Sequence, residues 1–231
     1  MRFSGIQKLT LLDYPGVVAC TLFTQGCNFR CPFCHNALLV FPPQDDASLS
    51  EEDILAFLEK RKGKLEGVAV TGGEPTLHRE LPVFLAKVRA MGYRVKLDTN
   101  GTDPGMLRQL VRDGLVNYVA MDVKNSPAFY ARTAGVGGLD WDALEQSKDF
   151  LLSDVVDYEF RTTLVKGLHT REGLVEAAKW ISGARAYYLQ KYEDSGNLIA
   201  PTGLSAFSRE EMNELADAVR PYVAAVSLRG I

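Results

Sequence analysis

The stretch Val17-Val18-Ala19-Cys20-Thr21-Leu22-Phe23-Thr24-Gln25-Gly26-Cys27-Asn28-Phe29-Arg30-Cys31-Pro32-Phe33-Cys34-His35-Asn36 joins an apolar, β-rich run to a loop that carries three thiols. Val17 to Phe23 reads as a buried strand, and residues 24–36 follow it as a loop. The thiols are separated by three and two residues, so one short segment can wrap a metal centre. Thiolates are soft ligands suited to iron–sulfur clusters or zinc, and four would close either site. Here the local count stops at three. Cys20, seven residues before Cys27, lies in the strand at a rise that places it about 20 Å away, and it reads as a buried structural thiol. His35 could complete a zinc site, but its adjacency to Cys34 makes binding one metal together awkward. Three ligands to a four-iron cluster would leave one iron open, and an open position lets a metal site bind substrate.

Working outward, further β-rich runs occur at Val68 to Thr71, Arg94 to Leu97, Tyr118 to Met121, Tyr158 to Leu164 and Ala186 to Leu189, giving six expected strands. Helical periodicity separates them at Ser50 to Lys62, Arg79 to Met91, Pro104 to Arg112, Asp140 to Leu152, Arg171 to Ser182 and Ser208 to Arg220. Ser50 before Glu51-Glu52-Asp53 has the form of an N-cap followed by acids, and Thr170 and Ser208 precede similar first turns. This alternation predicts an α/β fold with a parallel, curved sheet. The chain is too short for a generous eight-unit barrel, and a partial (β/α)6, TIM-like barrel fits the arithmetic. Residues 1–231 are read as one domain. Val40 to Asp46 and Gly135 to Gly138 read as loops.

The formal charge of −3 in 231 residues leaves no large basic field, which argues against nucleic acid as a partner. The densest basic run, Lys60-Arg61-Lys62-Gly63-Lys64, reads as a solvated helix end. Met1 to Gly5 lacks the apolar region of a signal peptide, and no apolar stretch approaches the roughly 20 residues that span a bilayer. A cytoplasmic protein with no membrane partner is expected. Four cysteines, three of them within eight positions, point to metal or redox chemistry instead of a disulfide scaffold.

The ends of the middle strands carry the next signal. Val70-Thr71-Gly72-Gly73-Glu74-Pro75 pairs two glycines, which let backbone approach closely, with an acid able to accept hydrogen bonds from an ammonium group. Asp98-Thr99-Asn100-Gly101 and Met121-Asp122-Val123-Lys124 follow on the next two strands. Glu74, Asp98 and Asp122 are each 24 residues apart, one βα unit, and are expected along the C-terminal rim where such sheets bind ligands. Three unneutralised carboxylates there would repel one another or be partly protonated, and a cationic ligand, a metal ion or Lys124 would relieve this. Arg161 and Gln190, on later strands, are candidates for further polar contacts. His78, His169 and the strand-forming Tyr187, Tyr188 and Tyr192 are given no role.

Cys27-x3-Cys31-x2-Cys34, with Phe33 before the last cysteine, followed by Gly72-Gly73-Glu74-Pro75, resembles the radical S-adenosylmethionine (SAM) superfamily. Gln7 to Gly16 together with Phe23 to Cys27 resembles the branch that activates anaerobic ribonucleoside-triphosphate reductase, a group of glycyl-radical-enzyme activases. The resemblance implies that Cys27, Cys31 and Cys34 ligate a [4Fe–4S] cluster whose unique iron is chelated by SAM. It implies that Gly72, Gly73 and Glu74 hold the SAM amino end, that Lys124 contacts its carboxylate and that Phe33 lies near its adenine. Asn100, Arg161 and Gln190 are further SAM candidates. Asp98, Thr99 and Asp122 are similar to motifs of pyruvate formate-lyase activating enzymes, where the two aspartates help bind a monovalent cation. The implied reaction is reductive cleavage of SAM, by an external donor such as flavodoxin or ferredoxin, to a 5′-deoxyadenosyl radical that takes hydrogen from a glycine of a partner enzyme under anaerobic conditions.

Two other readings stand beside it. One is a radical SAM enzyme acting on a small molecule or an RNA-modification precursor, although deazaguanine-forming relatives have a longer first cysteine gap. The other is a zinc-stabilised interaction module, or three unrelated buried cysteines. With one cysteine left over, the chain is expected to hold a single cluster.

Overall fold

The computed structural model describes residues 1–41, 48–194 and 196–231. In chain order its elements are β1 (Arg2–Thr10), β2 (Ala19–Thr24), α1 (Ala37–Val40), β3 (Leu49–Ser50), α2 (Glu51–Glu59), β4 (Gly67–Gly72), α3 (Leu81–Ala90), β5 (Arg94–Thr99), α4 (Pro104–Arg112) and β6 (Tyr118–Asp122). There follow α5 (Tyr130–Ala134), α6 (Trp141–Leu152), β7 (Asp157–Leu164), α7 (Arg171–Trp180), β8 (Tyr187–Lys191), α8 (Arg209–Val219) and β9 (Val226–Arg229). Of the loop expected at Val40 to Asp46, Val40 ends α1 and Phe41 lies in a bend, while 42–46 are outside the described residues. The chain forms two compact units: Met1–Asn28, Leu38–Ala120 and Val155–Asp157 make the first, and Phe29–Ala37, Met121–Asp154 and Tyr158–Ile231 the second.

In the first unit, β2 pairs in parallel with β4, and β4 with β5, so successive strand ends point the same way. Ala19, Cys20 and Leu22, Val68 to Val70, and Val95 and Leu97 are buried from water, as strands covered on both faces require. Helix α2 starts at a capping box: the Ser50 hydroxyl accepts the Asp53 N–H at 3.1 Å, and the Asp53 carboxylate accepts the Ser50 N–H at 3.1 Å. Its buried Ile54 and Leu58, and Phe84 of α3, whose ring lies 5.0 Å from that of Phe3, close one side of the core.

In the second unit, β7, β8 and β9 run in parallel, with Phe160 opposite Tyr187 and Tyr187 opposite Val226. Thr170 caps α7 through the Gly173 N–H, and Ser208 caps α8 with a second capping box closed by Glu211. Leu174, Ala177 and Ala178 of α7, and Met212, Leu215, Ala216 and Val219 of α8, supply the apolar face. Among the described residues no helix is long and apolar enough to cross a membrane.

The α/β class and the mostly parallel sheet are those expected, and each of the six expected strands is present as β2, β4, β5, β6, β7 or β8. Three further strands are present among the described residues. β1 pairs antiparallel with β2 and β3, and β9 pairs with β8. β1 shows no alternation of buried and exposed residues, contains Gly5, and is shifted in register against β2 twice, so period-two patterning has nothing to detect.

Glu159 of β7 is fully buried and is held by a bidentate pair with Arg229 of β9, at 2.9 and 3.0 Å. The guanidinium also stacks 3.6 Å from the centroid of Tyr188. Removing one partner of such a pair leaves a buried charge uncompensated. Arg229→Met is therefore expected to lower unfolding free energy by about 3–5 kcal/mol in urea titrations, and Glu159→Gln combined with Arg229→Met to recover part of that loss.

Candidate active site

In the first unit, Gly72 ends β4 at φ +121°, a conformation that favours glycine, and Gly73 follows it against the start of the cysteine loop. A Cβ on Gly72 would lie 2.3 Å from the Thr24 nitrogen, and one on Gly73 would lie 1.8 Å from the Gly26 oxygen. The two glycines let the chain donate the Gly73 N–H to Thr24 O at 3.0 Å and the Glu74 N–H to Gly26 O at 2.8 Å. Cys27 is thereby the first residue beyond a segment pinned to the end of β4. His78 adds a contact from its Nε2 to Gln25 O at 2.9 Å.

Glu74 lies two residues past the strand instead of at its last position, and it is 1 % exposed. Its Oε1 accepts the Thr76 N–H at 3.1 Å, the Thr76 hydroxyl at 2.6 Å and the Thr99 hydroxyl at 2.7 Å; its Oε2 accepts the Asn100 N–H at 2.6 Å. Burial raises its pKa, and these four donors oppose the rise. Asn100 then ties this group to the cysteine loop. Its amide nitrogen donates to Asn28 Oδ1 at 2.8 Å, and the Asn28 amide donates to Thr102 Oγ1 at 2.8 Å. Asp98, the penultimate residue of β5, forms an ion pair with the buried Lys96 two positions earlier.

The second unit holds Cys31 and Cys34, joined by a turn in which the Cys34 N–H donates to Cys31 O at 2.9 Å. Arg30 N–H donates to Ala134 O at 2.8 Å and Pro32 O accepts from Ala200 N–H at 2.9 Å, so both flanks of Cys31 are fixed. Phe33 is buried, with its ring edge-on to His169 at 6.4 Å. Asp122 ends β6 and receives Arg161 Nη2 at 2.9 Å and Nε at 3.0 Å on Oδ1, and Lys124 Nζ at 2.9 Å on Oδ2. Burial works to raise the Asp122 pKa, but the two cations hold it below the usual carboxylate range. Burial likewise disfavours the Lys124 ammonium, while Asp122 and the Cys31 sulfur push its pKa above the usual lysine value. His169, buried and with its pKa lowered by that burial, donates from Nε2 to Lys124 O at 2.8 Å. Gln190 is half-buried in β8.

None of the four cysteines is in a disulfide among the described residues. Cys20 is fully buried in β2, and burial pushes its pKa up to about 12, which suits a structural thiol and not a ligand. Among the described residues no three His, Cys, Asp or Glu side chains gather to hold a single ion. A four-iron cluster takes its thiolates on separate irons, so three thiols on a short, backbone-pinned loop fit it. Lys96, Thr76, Asn28 and His169 had no signal in sequence, since each acts through partners 2 to 74 residues away.

The first unit thus sets a buried, hydrogen-bonded acid beside the start of a cysteine-bearing loop. Residues 21–181 match the model of the radical SAM superfamily, and the chain belongs to it. Membership implies a [4Fe–4S] cluster and SAM. A protein of Methanocaldococcus jannaschii with the provisional name glycyl-radical enzyme activating enzyme is 28 % identical over 233 residues, covering 99 % of this chain and 95 % of its own. A 7-carboxy-7-deazaguanine synthase of Koribacter versatilis is 32 % identical over 150 residues, 64 % of this chain and 62 % of its own. Among solved structures, Streptococcus suis SuiB bound to S-adenosylmethionine superposes with a TM-score of 0.69 at 15 % identity, over 90 % of this chain and 49 % of that one. The chain thus spans about half the length of SuiB. A domain of pyruvate-formate lyase-activating enzyme from Bacteroides vulgatus superposes with a TM-score of 0.58 at 17 % identity, over 71 % and 99 %.

Because the folded-state pKa of Glu74 is raised, its carboxyl stabilises the fold fully below the unfolded value of 4.5 and progressively less as pH rises through the folded pKa. Losing a donor to the charged form deepens that penalty. Thr99→Val is expected to destabilise by about 2 kcal/mol at pH 7 and by less at a pH near 4.5, measured by urea unfolding. An equal loss at both pH values would contradict this account of Glu74.

Proposed function

We propose that the chain is a glycyl-radical-enzyme activase, with anaerobic ribonucleotide reductase as its partner and a flavodoxin- or ferredoxin-like donor as its reductant. The observation that carries this reading is the end-to-end likeness to the M. jannaschii protein, which leaves almost no part of either chain unmatched. The match to the deazaguanine synthase is slightly higher in identity but covers 64 % of this chain.

In this reading Cys27, Cys31 and Cys34 would hold the cluster, and SAM would bind at its open side. Together the cluster and SAM supply a hydrogen-abstracting carbon radical when reduced. The remaining work belongs to side chains. The Gly72-Gly73 backbone admits the methionine end closely, and Glu74, with Oε2 carrying a single hydrogen bond, has an acceptor position left for the ammonium. Lys124, held as an ammonium by Asp122, attracts the carboxylate. Asn100 holds the loop, Phe33 offers an apolar surface for adenine, and Arg161 and Gln190 supply polar contacts from β7 and β8.

Anaerobic reconstitution with iron and sulfide is expected to give a brown protein with about four irons per chain that cleaves SAM when reduced. Cys31→Ala should abolish the cluster, and Cys20→Ala should retain it. Incubation with an anaerobic ribonucleotide reductase, SAM and reductant should then give a glycyl doublet in the electron paramagnetic resonance spectrum. A colourless, zinc-loaded chain inert toward SAM would overturn the enzyme assignment. SAM cleavage with no glycyl signal on any glycyl-radical enzyme, but with turnover of a deazaguanine precursor, would replace the partner.

A further inference from the structure

We propose that Lys96 is a built-in counter-ion for Asp98 and takes the place of the monovalent cation that family likeness would assign to Asp98, Thr99 and Asp122. Lys96 and Asp98 are two residues apart on β5, so their side chains leave the same face of the strand. The Lys96 side chain is 1 % exposed and that of Asp98 12 %, and the ammonium is in direct contact with Oδ1. The same ammonium lies 6.0 Å from the ring centroid of Tyr118, which supplies the negative face of its π system. The anion and the polarisable ring stand where water would otherwise surround the ammonium.

An alkali cation has no directional bonds to offer. It is held by several oxygen ligands whose combined negative charge exceeds what local donors have already neutralised. The oxygens expected to supply that charge are engaged inside their own units. Asp98 faces the Lys96 ammonium, and the Thr99 hydroxyl donates to Glu74 while accepting the Gly101 N–H at 3.1 Å. Asp122 is shared between Arg161 and Lys124. A cation added at Asp98 would meet a fixed ammonium at contact distance, and like charges at that range repel strongly in a water-poor site. The donor set therefore does not fit a monovalent ion, and Lys96 positions Asp98 as the ion would.

The inference rests on the SAM-site reading above for its relevance to function, but its test needs no SAM. The full-length chain, reconstituted anaerobically, is titrated with thallous ion followed by thallium NMR, and its thermal unfolding is compared in potassium chloride and in choline chloride at equal ionic strength. The wild type should show no saturable thallium binding and the same Tm in both salts. Lys96→Met should lose about 5–10 °C in choline, regain much of it in potassium, and bind thallium. Lys96→Met combined with Asp98→Asn, which removes both charges, should recover stability in both salts with no preference. Saturable thallium binding by the wild type, or an equal loss of the single variant in both salts, would overturn the proposal. If Lys96→Met does not fold, the wild-type titration and the double variant decide it alone. A chain that never binds SAM would still give these results, so failure of the SAM reading is seen separately.

Discussion

A carboxylate removed from water must be surrounded by donors, and Glu74 has four among the described residues, drawn from two separate stretches of chain. Thr76 supplies two from the turn that follows it, and Thr99 and Asn100 supply one each from the end of β5. The backbone of the same residue donates to Gly26 O. One residue thus joins the end of β4, the end of β5 and the start of the cysteine loop. The join is possible only because Gly72 and Gly73 carry no Cβ; any side chain there would overlap backbone, which cannot rotate away. Loop position, strand termini and the orientation of the acid are one constraint satisfied together.

The second unit satisfies a comparable constraint with charge. Asp122 carries two cations, and Lys124 in turn feels both Asp122 and the Cys31 sulfur. His169 donates to the Lys124 carbonyl and packs nearly perpendicular to the ring of Phe33. A removed carboxylate here would leave Lys124 and Arg161 without their common anion. Each unit therefore holds its own polar groups in hydrogen bonds and ion pairs already made, and groups fixed in this way need little reorganisation to bind a ligand.

Much of this was legible in sequence, for reasons that particular residues make clear. The runs at β2, β4, β5, β6, β7 and β8 are apolar and flanked by turn residues, and the caps Ser50, Thr170 and Ser208 announce their helices by chemistry local to the first turn. β1 was not legible: Gly5, two register shifts and half-exposed side chains erase its periodicity. The acids at positions 74, 98 and 122 were legible as a spaced series, and so was Lys124 as a cation that relieves them, but the pairing of Asp98 with Lys96 was not. Lys96 lies on the same strand face as Asp98, but a strand lysine ordinarily points to water, and nothing in a single sequence says that this one is buried. Asn28 meets Asn100 across 72 residues, a separation that only the folded chain closes.

The most direct test of the central claim is the Mössbauer spectrum of the chain reconstituted with iron-57, recorded with and without SAM. If Cys27, Cys31 and Cys34 are the protein ligands, as proposed, one iron in four is chemically distinct, and SAM should shift its signal toward higher coordination while the other three stay unchanged. A spectrum in which SAM alters none of the irons, because a fourth protein ligand closes the cluster, would contradict the account.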